Sequence, residues 1–194
     1  TVKRKATEQN HICIAFPCPG IEDKDRYTLQ LISAILGRGM SSRLFQRIRE
    51  QRGLCYSIYT FGVLHTDIGL FGIYTALGSE MEREALHLIM QEVCRFRDSG
   101  ATAAELDRAR EQSKANVLMG LESTAARMHV LGRNELQLGR IPTTEEIIKG
   151  YDSVTLEQIH RVAENILDLN KISLSAVGRV QPADEYRTLV AEGG

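Results

Sequence analysis

No run of 18 apolar residues occurs in this chain, and the charged opening Thr-Val-Lys-Arg-Lys-Ala-Thr-Glu is not followed by the apolar core of an export signal. A membrane-spanning helix is therefore not expected, and a cytoplasmic location is. Long blocks of like charge are also missing. With a net charge of −1, the chain lacks the basic footprint by which proteins hold nucleic acid. The four cysteines, Cys13, Cys18, Cys55 and Cys94, match no zinc-ribbon or CxxC spacing, so reduced thiols are expected. Cys13 and Cys18 are near enough to suggest a ligand pair, but no second pair completes a site.

Catalytic signatures are missing as well. Neither H-x-x-E-H nor H-E-x-x-H occurs, and none of His11, His65, His87, His129 and His160 has a second histidine three or four residues away. There is no G-x-S-x-G elbow and no P-loop, and Gly37-Arg-Gly39 lacks the third glycine of a dinucleotide fingerprint. Internal repeats, low-complexity segments and linkers are not found. What remains is a chain of 194 residues, 43% hydrophobic, able to bury the core of one domain. It opens on Thr1 rather than Met, from which a piece of a longer polypeptide is expected.

The most informative stretch present is residues 36–59. Gly37 and Gly39 allow a tight turn, Ser41 or Ser42 can cap a helix, and Leu44, Phe45 and Ile48 form that helix's apolar positions. Gly53 stops it. From Leu54 the period becomes two, placing Leu54, Tyr56, Ile58 and Thr60 on one face of a strand. Arg49, in the last helical turn, then approaches Tyr56, and the pair could donate hydrogen bonds to a carbonyl or an oxyanion. The plainer reading is that Arg49 complements the helix dipole and Tyr56 packs half-buried on a sheet. Spacing alone leaves both open.

The rest reads in order as follows. Residues 1–10 form a polar approach, and residues 11–16 form a strand ended by Pro17, Pro19 and Gly20. Glu22, Asp23 and Asp25 load the start of a helix with Tyr27, Leu29, Ile32, Ile35 and Leu36 on its apolar face. Residues 70–77 make another strand, antiparallel to that beginning at Leu54. Ser79-Glu80-Met81-Glu82 reads as a capping box before a helix carrying Leu86, Ile89, Met90, Val93 and Cys94, and Thr102-Ala103-Ala104-Glu105 repeats the box before a stripe of Leu106, Ala109, Ser113, Val117 and Leu121. Arg108, Arg110 and Glu111 read as a solvated face. Residues 119–139 stay helical with weak points at Gly120 and Gly132. Helices start again at Thr143 and Thr155, and residues 171–177 close with a strand. This order predicts an α+β fold, a mainly antiparallel sheet with helices packed on one face, in one domain over residues 1–194 with 1–10 and 181–194 peripheral.

The string from Ala34 to Tyr59, with its Gly-Arg-Gly turn, arginine-rich helix and Gly-Leu-Cys-Tyr strand start, closely resembles the C-terminal half of the pitrilysin/insulysin superfamily of zinc peptidases. Bacterial relatives of the mitochondrial processing peptidase are the nearest in kind, and the resemblance extends to Gly178. It implies the LuxS-like and processing-peptidase-like half-domain fold. It also implies that the chain is the substrate-binding half of a zinc metalloendopeptidase. Zinc and the general base would come from an N-terminal H-x-x-E-H domain, in the same chain or in a partner subunit. Arg49 and Tyr56, seven residues apart, would hold the peptide backbone and stabilise the oxyanion.

Two departures qualify this. Arg38 stands where relatives often carry Gly, and the missing zinc motif means the chain alone is inactive. Arg47 and Arg52 compete with Arg49 for the role. The alternative reading is a non-catalytic relative that acts in assembly or peptide binding, and apolar faces suited to a sister domain leave room for a homodimer.

Overall fold

In the computed structural model, which describes residues 1–192, a five-stranded sheet runs in the order β1-β5-β2-β4-β3. The strands are β1 (Val2–Arg4), β2 (Asn10–Pro19), β3 (Ser57–Leu64), β4 (Ile68–Leu77) and β5 (Ser173–Gly178). Only the β1–β5 pair is parallel. The α+β reading therefore holds. The polar approach segment differs from expectation, because Val2–Arg4 adds a short edge strand to β5.

Strand alternation decides which face meets the helices. Ile12, Ile14, Phe16, Ile58, Phe71, Ile73 and Ala176 are buried on one face. On the other, the register sets Cys13 opposite Tyr74 and Tyr74 opposite Tyr59, and Tyr59 and Val63 remain exposed. Helices α1 (Arg26–Gly37), α2 (Glu82–Ser99), α3 (Ala103–Gly120), α4 (Thr124–Leu138), α5 (Thr144–Asp152), α6 (Leu156–Ile166) and α7 (Ala183–Glu192) complete the chain. The apolar face of α1 is buried against β3, α3, α5 and α6. The acids read at its start lie before it: Asp25 accepts a 2.6 Å ion pair from Arg161 of α6 and serves as a tertiary clamp.

Capping boxes form at Thr102/Glu105, Thr143/Glu146 and Thr155/Gln158. The box read at Ser79 and Glu82 does not. Glu82 turns inward, buried, and accepts from Asn10 of β2 and from the Tyr186 hydroxyl of α7. Residues 181–192, expected at the periphery, thus supply Tyr186 and Leu189 to the core. Arg110, read as solvated, donates to the carbonyls of Tyr151 and Val154 at the end of α5.

The α3 stripe ends early. Leu106 and Ala109 are buried, but Leu121 is exposed, as are Leu118 and Met119. The chain breaks just after Gly120, and α4 leaves Met128, Leu131 and Leu136 in solvent.

The inward carboxylate of Glu82 yields a test. Tyr186→Phe removes one of its donors inside the core, so the protein is expected to lose about 1–3 kcal/mol, read as a lower midpoint in denaturant.

Candidate functional site

Residues 36–59 build the candidate site. Of the two glycines at the turn, only Gly39 uses a positive φ, 97°. Gly37 is required for a different reason, since a Cβ there would stand 2.5 Å from the Thr60 methyl of β3. Thr60 Oγ1 donates to the Ser33 carbonyl at 2.8 Å and shares a 2.9 Å hydrogen bond with the Ser33 hydroxyl, joining α1 to β3. The expected serine cap is absent: the Ser42 hydroxyl donates to the Gly39 carbonyl at 2.7 Å.

The helix that follows widens into a π-helical segment over Phe45–Glu50, marked by the Gln51 N–H donating to the Gln46 carbonyl five residues back. Such single turns carry an extra residue that a period of 3.6 does not foresee, and they often occur where a side chain must be re-aimed. Leu44 and Ile48 still point inward, fully buried. Gly53, at φ 63°, ends the segment as expected.

The arginines here divide by partner. Arg43 grips Glu105 in a fork of 2.6 and 2.8 Å, reaches Glu92 at 3.5 Å and donates to the Gly100 carbonyl at the end of α2. Arg47 donates to Glu92 at 2.6 Å and to Gln91 at 3.0 Å. Arg52 meets Glu84 at 3.2 Å on the surface. Arg49 has no carboxylate partner among the described residues; its guanidinium lies 4.9 Å above the Phe45 ring. Of Arg47, Arg49 and Arg52, only Arg49 is left to meet a ligand.

Tyr56 does not sit where alternation puts it. Leu54 and Ile58 are buried, whereas Tyr56 is 71% exposed, because the strand begins at Ser57 and residues 54–56 are an irregular lead-in. Its backbone is nonetheless fixed, the N–H donating to the Ala76 carbonyl of β4 at 2.8 Å. The connection from Arg49 is short and tied: Gly53 N–H donates to the Arg49 carbonyl at 2.9 Å and Leu54 N–H to the Ile48 carbonyl at 3.0 Å. Burial pushes the Cys55 thiol up, against the smaller opposing effects of a hydrogen bond with Thr75 and the Arg49 charge. Arg49 and Tyr56 are both exposed, and no hydrogen bond joins them.

Glu92, with its carboxylate only 5% exposed, is a partner of Arg47 that the sequence reading missed, and Phe45, read only as an apolar helix position, lies under Arg49. For Glu92 a signal existed: it stands three residues after buried Ile89 and four before buried Phe96, an acid beside an apolar stripe. Cys13 and Cys18 lie on opposite faces of β2, an odd number of residues apart, and cannot chelate one ion. Among the described residues no group of three His, Cys, Asp or Glu side chains can hold a metal. Nor is any helix among them long and apolar enough to cross a membrane.

The chain belongs to the family described as Peptidase M16 inactive domain, which it matches over residues 1–113. A Bacillus subtilis protein named uncharacterized zinc protease YmxG is 35% identical over 84% of this chain, and a Streptomyces coelicolor protein also named an uncharacterized zinc protease is 34% identical over 94%. The chain spans 40% of the length of each. Among solved structures, a peptidase M16 inactive domain from Pseudomonas fluorescens superposes with a TM-score of 0.82 at 24% identity, covering 93% of this chain and 43% of that one. A chain of complex III from Candida albicans superposes at 0.85 with 18% identity, covering 98% and 48%, which reports the fold alone.

The Arg43 fork predicts an acid dependence. Its hydrogen bonds hold the Glu105 carboxyl down at about 2, outweighing the upward push of burial. A carboxyl depressed by folding stabilises fully above its ordinary value of 4.5 and loses that contribution as pH falls toward about 2. Arg43→Gln is therefore expected to flatten the acid limb of stability over that window and to cost about 1–2 kcal/mol at neutral pH, measured by denaturant titration.

Proposed function

We propose that this chain is the substrate-binding C-terminal domain of a zinc metalloendopeptidase, with Arg49 and Tyr56 as the residues that meet the peptide at the bond to be cut. The observation that supports this most directly is the partnering of the arginines: Arg43, Arg47 and Arg52 are held by carboxylates, while Arg49 is stacked on Phe45 and open to solvent, as is Tyr56 seven residues on. A fixed guanidinium and a phenolic O–H offer a carbonyl oxygen two donors, and both strengthen as that oxygen gains charge. The tied backbone of residues 48–56 holds them in place before substrate arrives, so little reorganisation opposes the reaction.

The described residues do not fit a zinc ion, so the metal implied by the names of the relatives belongs to another part of the assembled protein, either an H-x-x-E-H domain of the same polypeptide or a partner subunit. There it would supply Lewis acidity and activated water. This chain's share is to orient the peptide and accept the developing negative charge.

The test uses the assembled protein with its zinc-binding half and a quenched peptide substrate. Tyr56→Phe and Arg49→Ala are each expected to lower kcat on the order of 100- to 1000-fold, with the thermal midpoint unchanged. Turnover near that of the parent protein in either variant overturns the assigned roles. An assembled protein that neither binds zinc nor cuts peptides points instead to assembly or peptide binding.

A further inference from the structure

Two neighbouring residues of α2 hold Arg47. Its Nη1 donates to Glu92 at 2.6 Å and its Nη2 to the Gln91 Oε1 at 3.0 Å. The other end of the Gln91 amide faces His87, one turn earlier on the same helix, with the amide Nε2 2.8 Å from the ring Nε2. Arg47, Gln91 and His87 are all half-buried.

Donor and acceptor roles along this chain are dictated from one end. A guanidinium has only N–H groups to offer, so the Gln91 oxygen must face Arg47 and the Gln91 nitrogen must face the ring. That nitrogen only donates. The His87 Nε2 must therefore accept, and a neutral ring whose Nε2 accepts carries its proton on Nδ1. A histidine free in water favours the opposite form, with the proton on Nε2. A protonated ring has no acceptor at all, and its Nε2–H would point at the Gln91 N–H groups. Either Gln91 then turns round and gives up Arg47, or the ring leaves Gln91 unmatched.

The ionisable groups on the elements packed against α2 are engaged elsewhere. In and beside the π-helical segment, Arg43 reaches Glu92 and Glu105, Arg49 lies over Phe45, and Arg52 meets Glu84, the acid three residues before His87 on α2. From α6, His160 meets the Asp98 carbonyl with Glu164 beside it, and Arg161 meets Asp25. From α7, Tyr186 donates to Glu82, Glu192 meets Arg83, and Asp184 meets Arg187. Glu50, Glu157 and Glu185 are exposed.

We propose that His87 is a proton-controlled latch on the π-helical segment, closed only while the ring is neutral and protonated on Nδ1. Closed, it fixes Gln91 and with it one of the two contacts that hold Arg47. Open, it leaves Arg47 with Glu92 alone. Arg49 stands two residues further along the same segment, and the consequence for turnover rests on the peptidase reading above.

The experiment uses the full protein with its zinc-binding half and isotopically labelled histidine ring nitrogens. At about pH 7.5 the His87 ring, identified as the signal lost in His87→Gln, is expected to be protonated on Nδ1 and bare on Nε2. Gln91→Leu removes the donor and is expected to return the ring to the Nε2–H form. A parent ring already in that form overturns the inference, as does a tautomer that Gln91→Leu leaves unchanged. The acid side is read by hydrogen exchange over residues 45–54, comparing the parent with His87→Gln, whose side-chain oxygen accepts at any pH. The ratio of parent to variant exchange is expected to rise about 3- to 10-fold between about pH 7.5 and about pH 5.5, the interval in which imidazoles gain their proton. A constant ratio overturns the latch. Neither readout needs catalysis, so full turnover in Tyr56→Phe or Arg49→Ala would remove the peptidase reading while the ring spectrum still decides the latch.

Discussion

A single buried carboxylate, Glu92 of α2, ties the π-helical segment to the helical layer. It accepts from Arg47 and faces Arg43, while Arg43 also grips Glu105 at the start of α3 and lies over the Phe96 ring. Removing one member of such a buried group leaves an uncompensated charge, and that is typically far more costly than the net worth of the pair. The network therefore fixes where the π-helical segment sits on the helical layer. Leu44, just before the segment, and Ile48 within it are fully buried, so charge and packing impose one placement from two sides.

With that placement fixed, the exposed donors inherit their order from the frame. Glu92 is taken by Arg43 and Arg47, and the guanidinium of Arg49 lies over the Phe45 ring. Tyr56 is pinned through its backbone to β4 rather than through its side chain, which leaves the phenol free for another molecule.

Much of this was legible in the sequence. Wherever a local period or a local cap determines the outcome, as along Leu86 to Cys94 in α2 or at the boxes of Thr102, Thr143 and Thr155, the reading and the fold agree. It failed where a distant residue outbid a local one. Glu82 has the spacing of a capping glutamate, yet Asn10 and Tyr186, remote in sequence, draw it into the core. The sequence period puts Tyr56 on the face of Leu54 and Ile58, yet the strand starts one residue after it and the side chain is exposed, and no periodicity marks that start. Arg49, Arg47 and Arg52 look interchangeable along the chain. Only the positions of Glu84 and Glu92 on a separate helix tell them apart.

The sheet order carries a consequence for synthesis. β2 is made early and pairs with β4 on one side, but its other edge is covered only by β5, which follows five further helices. Until then a strand bearing Ile12, Ile14 and Phe16 keeps a row of unpaired backbone groups, the kind of edge onto which other chains can add. At ordinary ribosomal rates the interval between β4 and β5 lasts on the order of 5 to 20 seconds. β1, which pairs only with β5, cannot dock before it. Nascent chains of this protein thus pass through a stage in which three of the five strands, β2, β4 and β3, await β5, and shielding by chaperones matters most during that stage.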